Sequence, residues 1–244
     1  MNVRVAPFGF LLVCACTQTS SPLVVSAASS LTEVLRALEP QVERSLERDV
    51  DFAFAGSQAL RLQIEQGAPV DVFLSANAAH VDALVAAGLG GAPRRFAANV
   101  LTVAVPESNP AGLERFEDLG RASRIVVGAE EVPVGRYTAE VLGRVTARDD
   151  ALAARIHRAV VSRENNVRLV LAKVELGEAD AAIVYRTDVT GRRVKTIEIP
   201  SELQVEASYF ATVIEDSDEA RAFVELLTGP VGRAALRAHG FVAR

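Results

Sequence analysis

Residues 24–35 read VVSAASSLTEVL, an apolar strand that passes through small residues into the start of a helix. Leu23–Ser26 has the character of a buried strand, and Leu31, Val34, Leu35, Leu38, Val42 and Leu46 then recur at helical spacing. Pro40 falls inside that pattern and is expected to bend or divide the helix, because it lacks an N–H and clashes with the preceding turn. Ser30-Leu31-Thr32-Glu33 fits the S-x-x-E capping box, in which serine and glutamate reciprocally satisfy free N–H groups at a helix start. Two readings of Ser30 stay open at this point: a plain cap, or a group that also holds a ligand.

The strand-then-helix phrase repeats along the chain. Val50–Ala55 alternates like a strand and leads through Gly56-Ser57 into a helical stretch, Ala59–Gln66, that Gly67 ends. Val70–Leu74 is a third strand and Asn77–Ala87 a helix closed by Gly88. Asn99–Val105 opens a new strand, followed by the turn-rich PESNP of residues 106–110. A second block then alternates in the same way: strands at Arg124–Val127, Ala159–Ser162 and Ala181–Val184, with helices at Tyr137–Val145 and Val167–Leu176 between them. Val194–Ile199 and Ser208–Ile214 are further strands, and an amphipathic helix carrying Ala222, Val224, Leu226 and Leu227 follows. Such alternation predicts right-handed βαβ units and parallel strands. The arrangement it suggests is two α/β blocks joined near residues 100 and 200, with the last segment free to return to the first block.

Composition supports a globular protein with ample core. Of 244 residues, 50% are hydrophobic and 23% charged, with no disordered tract. The formal net charge of −5 argues against a nucleic-acid groove or an anionic membrane surface as partner. The N-terminus reads as an export signal: Met1–Arg4 is a cationic head and Val5–Val13 an apolar core too short to span a bilayer. Val13-Cys14-Ala15-Cys16 then has the form of a bacterial lipobox, making residues 1–16 a signal peptide with its lipidation site and Cys16 the acylated residue. Ordinary signal-peptidase cleavage near Ala15 is the alternative. The chain has 2 cysteines, both here, so the mature domain has no internal disulfide and depends on its core.

Three further stretches share the form of the opening one, small or polar residues directly before a helix: AGSQAL (55–60), EEVPVGRYT (130–138) and SRENNVRL (162–169). A helix start leaves about four N–H groups without partners and carries roughly half a positive charge. Several such starts aimed at one point would bind an anion without any charged side chain. Each alone is ordinary α/β architecture. Ser57 reads otherwise as a turn or cap, Asn165-Asn166 as caps, and Tyr185 as a core tyrosine or a phenol donor at a strand end. Pro133 suits a helix start, and Val134-Gly135 lets the backbone turn sharply there.

Taken together, AASSLTEV, GSQALRLQIEQGAPVDVFLSA, EEVPVGRYT, ENNVR, GEADAAIVYRTD and the closing GPVGRAALRAHGF stand in an order and spacing that resembles the extracytoplasmic molybdate-binding proteins of ABC transporters, from about Leu23 to the C-terminus. The resemblance implies an α/β fold of the periplasmic binding-protein type: two lobes, each a mostly parallel sheet flanked by helices, with the ligand in the cleft between them. Residues 23–100 plus 206–244 would form lobe I and residues 101–205 lobe II. It also implies the ligand contacts: the hydroxyls of Ser30 and Ser57, the backbone N–H groups of Val134 and Val167, and the phenol of Tyr185. Val134 stands where the family usually has alanine, and Gly56 where relatives often carry serine. Ser29 is an extra hydroxyl, and Arg136 a possible anion contact, with no role implied for either.

The implied function is high-affinity binding of molybdate, and of tungstate, in the periplasm, with delivery to a membrane permease. The protein would be a monomer, without a cofactor, without direct metal ligands and without nucleic acid, anchored through lipidated Cys16. A binding protein for sulfate or another tetrahedral oxyanion is one rival. An extracytoplasmic serine hydrolase is the other, and it is poorly supported: a serine nucleophile needs a nearby base. His80, His157 and His239 do not adjoin the serine loops in sequence, and no G-x-S-x-G elbow is present.

Overall fold

The computed structural model describes residues 21–244, so the export signal and Cys16 lie outside the described residues. The chain begins with β1 (Leu23–Ala28), a 3-10 turn at Ser29–Leu31 and α1 (Thr32–Leu46), then β2 (Val50–Ala55), α2 (Ser57–Glu65), β3 (Val72–Ser75) and α3 (Ala78–Ala86). A long strand, β4 (Arg94–Pro106), leads into a second set: β5 (Ile125–Gly128), α4 (Pro133–Thr146), α5 (Asp150–Ala159), β6 (Val160–Glu164), α6 (Val167–Glu175), β7 (Ala181–Tyr185) and β8 (Val194–Glu198). The last segment holds β9 (Glu206–Val213), α7 (Asp218–Thr228), α8 (Pro230–Ala238) and β10 (Val242–Ala243).

Each half contains the expected parallel set. β2, β1 and β3 run parallel in one half, and β6, β5 and β7 in the other. Antiparallel strands give the sheets their mixed character. β9 pairs with β3 and β4, β10 with β4, and β4 with β7 and β8. β4 serves both halves: Arg94–Val100 pairs with β9, whereas Leu101–Pro106 pairs with β7 and β8. The sheet order β2-β1-β3-β9-β4-β7-β5-β6 therefore continues from one half into the other through this strand. One large apolar core runs through the second set, from Leu101 to Ala207. Two more fill the first, around Val25, Leu35 and Phe223 and around Leu60, Phe73 and Leu84.

Local chemistry moves several boundaries. α1 runs through Pro40 without a break. Pro40 is on the solvent face, where water can satisfy the Arg36 carbonyl that loses its helical donor. β4 begins five residues earlier than its apolar pattern suggests, because the exposed Arg94 and Arg95 belong to it. α4 begins at Pro133 rather than Tyr137, with proline at the first helical position, where its missing N–H costs nothing.

Candidate functional site

Four strand-to-helix passages and one strand end meet where the halves face each other. β1 feeds the turn at Ser29–Leu31, β2 passes through Gly56 into α2, the loop after β5 enters α4 at Pro133, and β6 passes through Asn166 into α6. β7 ends at Tyr185. The structure brings all five expected residues, Ser30, Ser57, Val134, Val167 and Tyr185, to the wall of one cavity. The cavity is small, and serines, Asn166, Tyr185 and apolar residues make its wall. Among the described residues, no charged side chain lines it.

Each donor is placed by its element. Ser57 and Val167 are the first residues of α2 and α6, and Val134 the second of α4, so their N–H groups have no acceptor within the helix. Asn166 caps α6 as expected: its Oδ1 accepts from the Leu169 N–H at 3.1 Å. The Ser57 Oγ accepts from the Ala76 N–H at 3.1 Å, which leaves the Ser57 proton free to donate. Val134 belongs to the core as well as to the cavity wall, and its Cγ1 packs on the bare backbone of Gly128. Gly135 is required for a reason other than a sharp turn. A Cβ there would overlap the carbonyl oxygens of Ala129 and Gly128, so glycine lets α4 lie directly on the preceding loop.

Tyr185 is the odd member. Its ring is buried to 1% exposure, and among the described residues its phenol oxygen has no hydrogen-bond partner. Burial, then the neighbouring Tyr209, Tyr137 and Asp188, hold its pKa well above the usual tyrosine value, so the phenol keeps its proton. An unpartnered buried donor costs about 1–3 kcal/mol, and such a group in a pocket wall marks a place for an acceptor.

The capping box expected at Ser30 is not formed. Neither the turn at Ser29–Leu31 nor α1 has a side-chain cap at its start. The intervening 3-10 turn moves the helix start to Thr32, whose Oγ1 donates to the Ser29 carbonyl at 2.7 Å. Ser30 Oγ instead meets the Tyr209 hydroxyl at 3.0 Å. Glu33, the other half of the box, points across the cleft and pairs with Arg168 and, at 3.2 Å, with Arg192. Burial works to raise the Glu33 carboxyl, but its bond to Arg168 and the surrounding positive charge outweigh this and set it below its usual range.

Other residues hold the halves together around the cavity. Gln58 Nε2 donates to the Asn165 carbonyl at 2.7 Å. That contact explains Gly56, since any Cβ there would overlap Asn165 O and crowd the Gln58 amide. His80 Nε2 lies 3.1 Å from the Glu131 carbonyl, and burial pushes its pKa below the usual value. Arg168 Nε donates to the Ser29 carbonyl at 3.2 Å, so the structure uses the Ser29 backbone, while its side chain lines the cavity. Arg136 is exposed and not part of the cavity wall. Tyr209 and Gln58 were not singled out in the sequence. Their partners lie 179 and 107 residues away, beyond the reach of any local pattern.

An α/β molecule of two halves, with a small neutral pocket of donors between them, has the design of a solute receptor. The chain belongs to the bacterial extracellular solute-binding proteins, whose family model matches residues 23–242. Among curated relatives, the molybdate-binding protein ModA of Mycobacterium tuberculosis is 35% identical over 233 residues, covering 92% of this chain and 86% of that protein. Among solved structures, the periplasmic molybdate-binding protein of Azotobacter vinelandii superposes with a TM-score of 0.76 at 20% identity, over 90% of this chain and 98% of that one. The sulfate-binding protein SubI of Mycobacterium tuberculosis has the same fold, with a TM-score of 0.75 at 17% identity over 91% and 86% of the two chains.

Proposed function

We propose that this protein binds molybdate, and tungstate with it, outside the cytoplasmic membrane and delivers it to the permease of an ABC transporter. The observation that carries the reading is the Tyr185 phenol, a buried donor without a partner among the described residues, in the wall of a small neutral pocket. With Ser30, Ser57 and the N–H groups of Val134 and Val167 it would surround a tetrahedral dianion with neutral donors. Hydrogen bonds to a charged acceptor are worth about 1.5–3 kcal/mol each, net of the water contacts they replace. The five groups offer protons and require none, which suits a fully deprotonated oxyanion and disfavours hydrogenphosphate. Sulfate shares molybdate's charge and shape class, so its rejection rests on cavity size, whereas tungstate is nearly the size of molybdate. The 35% identity to a protein named for molybdate favours that ion over sulfate.

In this reading residues 23–100 plus 206–244 and residues 101–205 are lobes that close on the ion and present a joint surface to the permease. The protein works as a monomer, by binding and release rather than catalysis, and needs no cofactor. None of its three histidines lines the pocket beside the serines. Lipidation at Cys16 would tether it at the outer face of the membrane. Calorimetric titration of the mature protein with molybdate, tungstate, sulfate and phosphate tests the proposal. Tight binding of the first two is expected. Tight sulfate binding with none for molybdate would overturn it.

A further inference from the structure

Tyr209, on β9, does not line the cavity, yet it touches Ser30, which does. Its side chain is fully buried, at 0% exposure, and its hydroxyl lies 3.0 Å from Ser30 Oγ. Phe96, Phe241 and Tyr185 hold the ring by edge and tilted contacts at centroid distances of 6.2, 5.4 and 6.0 Å. The phenol therefore cannot swing to another acceptor.

Two hydroxyls in contact can share their bond in either direction, and here the surroundings decide which. The Asn99 side chain also lies beside the Tyr209 hydroxyl, but its Oδ1 accepts from the Val100 N–H and its Nδ2 donates to Thr187 Oγ1, so among the described residues Ser30 Oγ is the acceptor that pairs with the Tyr209 proton. Were Ser30 to donate instead, the Tyr209 proton would be buried without an acceptor, which proteins strongly avoid. Tyr209 thus donates and Ser30 accepts. A serine hydroxyl that accepts along one lone pair cannot also point its proton there. The Ser30 proton is turned away from Tyr209, and the cavity is where an acceptor would meet it.

We propose that Tyr209 is a positioning residue for the oxyanion: by occupying a lone pair of Ser30 it locks that hydroxyl as a donor to the ligand. The inference rests on the reading of the pocket given above. It also bears on selectivity. A free serine rotor could accept the proton of hydrogenphosphate, whereas one already accepting from Tyr209 is committed to giving, so the pocket is biased toward ions without a proton. Preorganising the donor also removes the cost of fixing it when the ion arrives.

A double-mutant cycle tests this, with molybdate affinity measured for wild type, Tyr209→Phe, Ser30→Ala and the double variant. Tyr209→Phe keeps the ring and removes the donor. About a tenfold loss is expected in the wild-type background and almost none in the Ser30→Ala background, because Tyr209 acts through Ser30. A packing defect would lower affinity equally in both. Equal losses, or no loss in Tyr209→Phe while Ser30→Ala weakens binding, overturn the positioning role alone. Wild-type affinity in Ser30→Ala overturns the pocket reading and this role with it.

Hydroxyl-proton NMR of the wild-type protein needs no variant. The Tyr209 phenol proton should be protected from exchange with and without molybdate, and the Ser30 proton only with it. A Ser30 proton already protected in the absence of ligand would mean that Ser30 donates to Tyr209, contrary to the proposal.

Discussion

The two walls of the cavity reach the same chemistry from opposite starting points. On the β1–β3 side, the hydroxyls of Ser30 and Ser57 are already tied to the protein, one accepting from Tyr209 and the other from the Ala76 N–H. On the β5–β7 side, the Tyr185 phenol is buried with no partner among the described residues. The first wall is set by its own hydrogen bonds, and the second carries a donor that an acceptor in the cavity would satisfy. One wall therefore supplies orientation, and the other makes closure depend on what lies between.

That contrast can be broken by substitution. Tyr185→Phe should give the largest loss of molybdate affinity, about 10–100-fold for one charge-assisted bond. Because it removes an unpaired buried group, the unliganded protein should melt at the same temperature or higher. Ser57→Ala should cost about tenfold in affinity and also destabilise the unliganded protein by roughly 1 kcal/mol, since the Ala76 N–H loses its acceptor. Calorimetric titration and thermal melts of the two variants check this. Equal effects on unliganded stability would erase the distinction between the walls.

The seam where the walls meet gives finer tests. Gly56→Ala puts a Cβ against the Asn165 carbonyl and should hold the halves apart, lowering affinity by about tenfold. Small-angle scattering should show a molybdate-loaded variant more open than wild type. His80 is buried and its folded pKa lies below the usual 6.5, so the folded state disfavours its proton. Its contribution to stability is complete above pH 6.5 and is lost as the pH falls below that value. Melting temperatures between pH 8 and 5.5 should fall less in His80→Gln than in wild type. Glu33→Gln weakens a half-exposed ion pair and should change affinity by less than about fivefold, with most of the effect gone at high salt.

Much of this was legible in the chain because it is local. Strand-then-helix alternation marks the parallel set in each half, and the small and polar residues at the passages mark the helix starts that converge. The five site residues were found through a family resemblance, and the structure brings them to one cavity. What escaped is non-local. Ser30-Leu31-Thr32-Glu33 satisfies a capping pattern on paper, yet a turn displaces the helix start, Tyr209 takes the serine and two arginines take the glutamate. Gly56 looks like a lost hydroxyl in the sequence, but in space it is the gap that admits the Asn165 carbonyl. The helix Asp150–Ala159 gives only a weak periodic signal, because alanines and charges dilute its buried face of Leu152, Ala153 and Ile156.

The most direct test of the central claim is a crystal structure of the mature protein with molybdate. The account predicts the ion in this cavity, with oxygens about 2.7–3.2 Å from the Tyr185 phenol oxygen, the Ser30 and Ser57 Oγ atoms and the backbone nitrogens of Val134 and Val167. An ion bound elsewhere, or a Tyr185 hydroxyl still without a partner in the complex, would contradict it.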